Sequence, residues 1–187
     1  MTRTLLAGLT LAVFAATTAH AEPKGPLDFE AKTIDGETVK LSRYAGKVVL
    51  VVNVASRCGL TPQYEGLQAL HAKYAKAGLA IVAFPANDFL RQEPGTNAEI
   101  KGFCKTRYGV GFDLFAKIKV KGDGIAPLYG FLTSKQTNPR FAGPIRWNFD
   151  KFLIGRDGQI IGRFSPRTKP RASELVKELR AALASKP

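Results

Sequence analysis

Cysteine, histidine, tryptophan and methionine are all scarce in this sequence of 187 residues: two Cys, two His, one Trp and one Met. Two cysteines cannot build the cross-linked frame of a disulfide-dense miniprotein. No C-x-x-C pair occurs, so the spacing of a dithiol–disulfide exchanger is missing. Two histidines, one of them His20 in the opening segment, leave too few ligands for a recognisable metal site, and none is expected. His71 reads instead as a hydrogen-bonded core histidine on an apolar helix face. Beyond the first segment no apolar run approaches the roughly 18 residues of a membrane span, so stable membrane insertion is not expected. Repeats and low-complexity tracts are absent, and 45% hydrophobic residues exclude a disordered or collagen-like chain.

Acidic residues are also in deficit, 15 against 28 Lys and Arg. Residues 1–21 combine an early Arg3, an apolar stretch over 5–16 and the small-residue ending Ala19-His20-Ala21. This is the pattern of a secretory signal peptide cut before Glu22; the alternatives are a membrane anchor or an apolar helix of the fold. Removing it takes only one charge, Arg3, and leaves a single domain of 166 residues (22–187) with net charge +12. Export, to the periplasm in this reading, removes nucleic acid as the commonest partner of a basic protein. A solvated basic surface, an anionic membrane surface or an acidic partner protein remain, and the basic residues are scattered, as at Lys117, Lys119, Lys121, Arg167, Lys169 and Arg171.

The segment Lys47-Val48-Val49-Leu50-Val51-Val52-Asn53-Val54 is apolar on both faces and β-branched, the pattern of a central buried strand. Thr61 and Pro62 suit the N-cap and first position of a helix whose face repeats at Leu67, Leu70, His71 and Tyr74 and stops at Gly78. Leu79 to Phe84 then read as a second buried strand, giving a right-handed parallel βαβ unit. Thr96-Asn97-Ala98-Glu99 has capping-box spacing and opens a helix with Ile100, Phe103, Cys104 and Arg107 on one face. A short helix is expected over 127–135, and a hairpin across Arg156-Asp157-Gly158 with a type I′ turn. A last helix carries Leu175, Leu179 and Leu183 on one stripe. The order βαβ…ββα, after an extension over 27–40, predicts an α/β thioredoxin-like fold with a mixed central sheet flanked by helices.

Cys58 falls in the turn between the first central strand and the helix that follows. Chemistry in open α/β sheets collects outside the carboxyl ends of the strands. Free backbone N–H groups at a helix N-terminus favour a thiolate, and Arg57 could add to this by folding back. A structural Cys58–Cys104 disulfide is the competing reading, since an exported chain with an even cysteine count commonly pairs them. Thr61 stands where an exchanger's second cysteine would be, which points to a single attacking sulfur.

The run Asn53-Val54-Ala55-Ser56-Arg57-Cys58-Gly59-Leu60-Thr61 resembles the active-site signature of the glutathione peroxidase family. The likeness continues through Phe84-Pro85-Ala86-Asn87-Asp88-Phe89, Gln92-Glu93-Pro94-Gly95, Pro127-Leu128-Tyr129 and Trp147-Asn148-Phe149-Asp150-Lys151-Phe152-Leu153, in family order over nearly all of the mature chain. The resemblance implies a thiol peroxidase in which Cys58 attacks hydrogen peroxide or an organic hydroperoxide and becomes a sulfenic acid. It implies that Trp147 and Asn148 donate hydrogen bonds to the reacting sulfur, two donors that stabilise a thiolate without adding charge. One position departs from the pattern: Asp88 stands where the family carries a third polar partner, a glutamine. A carboxylate beside a thiolate opposes its ionisation, so Asp88 is expected to turn toward Arg91 or Arg57, or to be held protonated.

Cys104 matches the place of the resolving cysteine in the two-cysteine, thioredoxin-dependent members; the other reading is a small hydrophobe beside Phe103. The resemblance further implies a thioredoxin-like protein or glutathione as reductant and no cofactor. The short connection between Leu132 and Trp147 lacks the insertion of tetrameric relatives, which implies a monomer or weak dimer. Two other functions compete: an exported thioredoxin-fold disulfide oxidoreductase, and a non-catalytic domain with a structural disulfide.

Overall fold

The computed structural model describes residues 22–185; the expected signal peptide lies outside them. An antiparallel hairpin, β1 (Glu30–Lys32) and β2 (Thr38–Lys40), precedes the main sheet. Then follow β3 (Val48–Val54), α1 (Gln63–Tyr74), β4 (Leu79–Pro85), α2 (Asn97–Tyr108), β5 (Asp113–Leu114), α3 (Pro127–Thr133), β6 (Lys151–Ile154), β7 (Ile160–Phe164) and α4 (Ser173–Ala184). The five-stranded sheet has the order β5-β4-β3-β6-β7. β4 runs parallel to both β3 and β5, and β6 and β7 are antiparallel, so the sheet is mixed as the element order predicts.

Every residue of β3 and β4 is buried, which explains their unbroken apolar runs. Alternation along β3 divides the core. Val48, Leu50, Val52 and Val54 face Leu67 and Leu70 of α1, Ile100 and Cys104 of α2, and Leu175 and Leu179 of α4. Val49 and Val51 face Leu128, Tyr129 and Leu132 of α3. Each fully buried aliphatic side chain contributes about 1.5–3 kcal/mol.

The capping box forms in full: the Thr96 side chain accepts the Glu99 N–H, and the Glu99 carboxylate accepts the Thr96 N–H at 2.7 Å. Gly109, at φ 60°, closes α2 in the left-handed conformation that glycine adopts at least cost. Four local expectations need correcting. On α2, Arg107 is exposed, and the inner stripe is Ile100, Phe103, Cys104 and Tyr108. The hairpin turn is not type I′: only Gly158 is left-handed (φ 79°), the Gly158 N–H bonds Gly155 O, and Asp157 spends a carboxylate oxygen on the Gln159 N–H. That is a three-residue loop ending in a left-handed glycine. His71 packs edge-on against Phe112, but its buried Nδ1 has no hydrogen-bond partner. Finally, Thr61 does not cap α1, for a reason that belongs to the site.

Candidate active site

Four residues past β3, Cys58 sits in a turn closed by its own neighbours. The Thr61 hydroxyl accepts the Cys58 N–H at 3.0 Å and donates to Ala55 O at 2.8 Å, while the Thr61 N–H returns to Cys58 O. With its side chain used here, Thr61 leaves the helix start to Pro62, which makes no side-chain cap. The Leu60 N–H points at the Cys58 sulfur at 3.4 Å, a donor of the kind that stabilises a sulfur anion. The residue is 8% exposed, so Cys58 is nearly closed off from solvent.

Trp147 and Asn148 reach the same region from the loop before β6, held there by Asn53, the one amide in an otherwise apolar strand. Asn53 Nδ2 donates to Trp147 O at 3.0 Å, its Oδ1 accepts the Asp150 N–H at 3.1 Å, and its backbone O accepts the Phe149 N–H at 2.6 Å. Phe149 is forced to φ 69°, a left-handed conformation costly for a bulky residue. Its ring is buried edge-on against Tyr64. The Trp147 ring leans on Phe89 with centroids 5.4 Å apart and packs against the core cluster that contains Cys58. Asn148 is fully buried; its Nδ2 donates to Gln92 Oε1 at 2.9 Å, and its Oδ1 has no partner.

Asp88 has neither expected arginine as partner. Its Oδ2 accepts the Val120 N–H at 2.8 Å, so the carboxylate ties down the loop after β5. Arg57 lies along a groove with Glu93 and Glu99, and its charge acts on both carboxylates. Burial raises the Glu93 carboxyl above its ordinary range, against the opposing effects of hydrogen bonds from Ser56 and the charges of Lys117 and Arg57.

Cys58 and Cys104 are both free thiols. Cys104 is fully buried on the inner face of α2, and burial pushes its thiol up to about 11. The Tyr64 hydroxyl is near enough to pull against that shift, yet it makes no hydrogen bond of acceptable geometry. Gly59 and Leu60 open onto a surface hollow of about 480 Å³ whose rim carries Arg167, Lys169 and Arg171. A second hollow of about 650 Å³ lies between Leu60, Trp147, Arg146 and Arg167.

Gln92, Glu93 and Asn53 all lie within recognisable sequence blocks, but the blocks alone assign none of them a task. A lone amide inside a buried strand was the available signal for Asn53, because a buried polar group needs partners.

A free thiol in the first turn beyond a central strand, with a backbone N–H aimed at its sulfur, defines a thiol oxidoreductase on the thioredoxin scaffold. The family model for glutathione peroxidase matches residues 27–133. A glutathione peroxidase of Lactococcus lactis subsp. cremoris is 51% identical over 156 residues, covering 83% of this chain and 98% of its own. The thioredoxin/glutathione peroxidase BtuE of Escherichia coli K12 is 44% identical over 172 residues, covering 82% and 94%. The solved structure described as Trgpx in apo form superposes with a TM-score of 0.68 at 33% identity, over 87% of this chain and 97% of that one. The chain belongs to the glutathione peroxidase family, and it is a peroxidase.

Proposed function

We propose that Cys58 is the sulfur that reduces the peroxide. Its thiolate attacks the outer oxygen of R–O–O–H, the O–O bond breaks, and the leaving alkoxide takes a proton to depart as alcohol or water. Cys58 is left as a sulfenic acid. Trp147 and Asn148 are the donors that hold the charged sulfur. The Cys104 thiolate then attacks the sulfenic sulfur, forming a disulfide and releasing water. A dithiol reductant supplies the two electrons that restore both thiols. The observation that carries this reading is the Leu60 N–H aimed at the free Cys58 sulfur, 3.4 Å away, in the first turn beyond β3.

A thioredoxin-like protein, or glutathione, is the reductant in this proposal, in keeping with the name of the E. coli relative. Arg146, Arg167, Lys169 and Arg171 around the two hollows suit an acidic partner docking over the thiol. From residues 1–21 alone we infer export to the periplasm with cleavage before Glu22, and from the short connection between Leu132 and Trp147 a monomer or weak dimer.

The test is a coupled peroxide assay with thioredoxin and with glutathione. Cys58→Ser should abolish both activities, and Cys104→Ser should abolish only thioredoxin turnover. Activity that survives Cys58→Ser overturns the reading.

A further inference from the structure

Asn148 is the donor whose orientation is least secured. A primary amide offers a donor end and an acceptor end of nearly equal size, and only the donor end helps a thiolate. Asn148 is fully buried and its Oδ1 bonds to nothing, so one contact sets which way the amide faces: Nδ2 to Gln92 Oε1 at 2.9 Å. Asp88 is committed to the Val120 N–H and supplies no such contact.

Gln92 is itself built in from several sides. Its backbone O accepts the Arg57 N–H at 3.0 Å, one residue before the thiol. Its own N–H returns to Phe89 O across a turn whose Leu90 and Arg91 are both left-handed, φ 50° and 51°. Next in sequence, the Glu93 carboxylate accepts from the Ser56 hydroxyl at 3.1 Å, and the Lys117 ammonium gathers Glu93 O and Gly95 O at 3.1 and 2.6 Å. Two non-glycine residues held at positive φ are tolerated only where the surroundings over-determine the backbone. The consequence of this turn is that one residue touches the loops of both Cys58 and Asn148.

We propose that Gln92 is a positioning residue for the peroxidase reaction: its backbone carbonyl anchors the Cys58 turn while its side-chain carbonyl selects the orientation in which Asn148 presents its remaining N–H. The inference rests on the roles given to Cys58 and Asn148 above. Gln92 acts through Asn148, so its effect is conditional on that amide.

The experiment is a double-mutant cycle read as the single-turnover rate of the reduced protein with hydrogen peroxide, with thermal unfolding measured beside it. Gln92→Met keeps the side chain's length and loses the acceptor; it should slow the reaction by about tenfold or more, because misaligning a reacting or supporting group is costly. Gln92→Glu keeps an acceptor oxygen; its added charge opposes ionisation of the thiol, so the rescue is read at a pH high enough to ionise Cys58 in the variant, where most of that loss should be recovered. The pair Gln92→Met with Asn148→Ala should be within about threefold of Asn148→Ala alone, since a residue that acts through its neighbour adds nothing once the neighbour is gone. A wild-type rate in Gln92→Met beside a slow Asn148→Ala overturns the role of Gln92 and leaves the reading of the site standing. Losses that multiply in the pair, including those of a turn that has melted, overturn it as well. A wild-type rate in Asn148→Ala removes the donor reading itself, and this inference falls with it.

Discussion

Asp88 commits one carboxylate oxygen to the backbone N–H of Val120, 2.8 Å away, on the loop that follows β5. The carboxylate at the family's glutamine position is therefore a loop fastener. Asp88→Asn removes the charge and keeps an acceptor, so the peroxidase rate and its acid limb should match wild type within about twofold. Asp88→Ala strands a buried amide, at about 1–3 kcal/mol, and should lower the melting temperature by several degrees. A displaced acid limb in Asp88→Asn would put the carboxyl in the chemistry.

Cys104 should be the slow thiol. With its folded value pushed up to about 11 from an ordinary 9, burial favours the protonated form. At pH 7.5 only about one part in 10³ to 10⁴ is thiolate, and iodoacetamide should label Cys58 well ahead of Cys104 until denaturant is added. The linked stability is fully present below pH 9 and is lost as pH rises toward 11. Mass mapping of alkylated peptides checks the order, and Cys104 reacting first would contradict it.

Pairing of the two sulfurs demands Cα atoms within about 7 Å and a clear line between the thiols. Cys104 is fully buried on the inner face of α2, whose last turn carries exposed Lys105 and Arg107 before the Gly109 stop. Local unwinding of that turn should accompany the disulfide. Trypsin should cut after Lys105 or Arg107 faster in peroxide-treated protein than in reduced protein or in oxidised Cys104→Ser. Equal cleavage in all three would mean that the helix stays shut.

Arg163 organises the approach to β6. Its guanidinium makes a bidentate pair with Asp150 at 3.1 and 2.9 Å and also bonds the carbonyls of Phe141, Ala142, Gly143 and Pro144. Arg163→Ala leaves a nearly buried carboxylate unpaired and should cost about 3 kcal/mol, or roughly 6–12 °C in melting temperature. A loss under about 1 kcal/mol in urea unfolding would refute the assignment.

Lys151 is fully buried in β6, with Nζ donating to Phe149 O at 2.6 Å, and burial pushes its ammonium down to about 7 from 10.5. Between these values the unfolded chain binds the extra proton, so this group makes stability rise from pH 7 to about 10.5 and fall as pH drops back toward 7. Lys151→Met should be more stable than wild type at pH 6, with an advantage that shrinks toward pH 10. Denaturant midpoints across that range test it, and a constant difference would contradict it.

Much of the framework was legible because it depends on local pattern. The apolar runs of β3 and β4 and the capping box at Thr96 state their structure within a few residues. The α1 start was misplaced because the Thr61 hydroxyl found a better use inside the Cys58 turn, a choice made by the tertiary fold. The two-residue β5 carries no periodicity that could announce it. Of the candidate site, Cys58, Trp147 and Asn148 are legible as motif residues. The partners of Asp88 and the task of Gln92 depend on contacts 32 and 56 residues away, which no spacing rule encodes.

Through a single side chain Asn53 ties β3 to two points of the loop before β6, 94 and 97 residues further along the chain. When the middle of the sheet vibrates, the sulfur loop and the indole-bearing loop are carried along together, like two brackets bolted to the same beam. Warming should leave their alignment intact until the beam fails, so loss of turnover and global melting should coincide on the temperature axis.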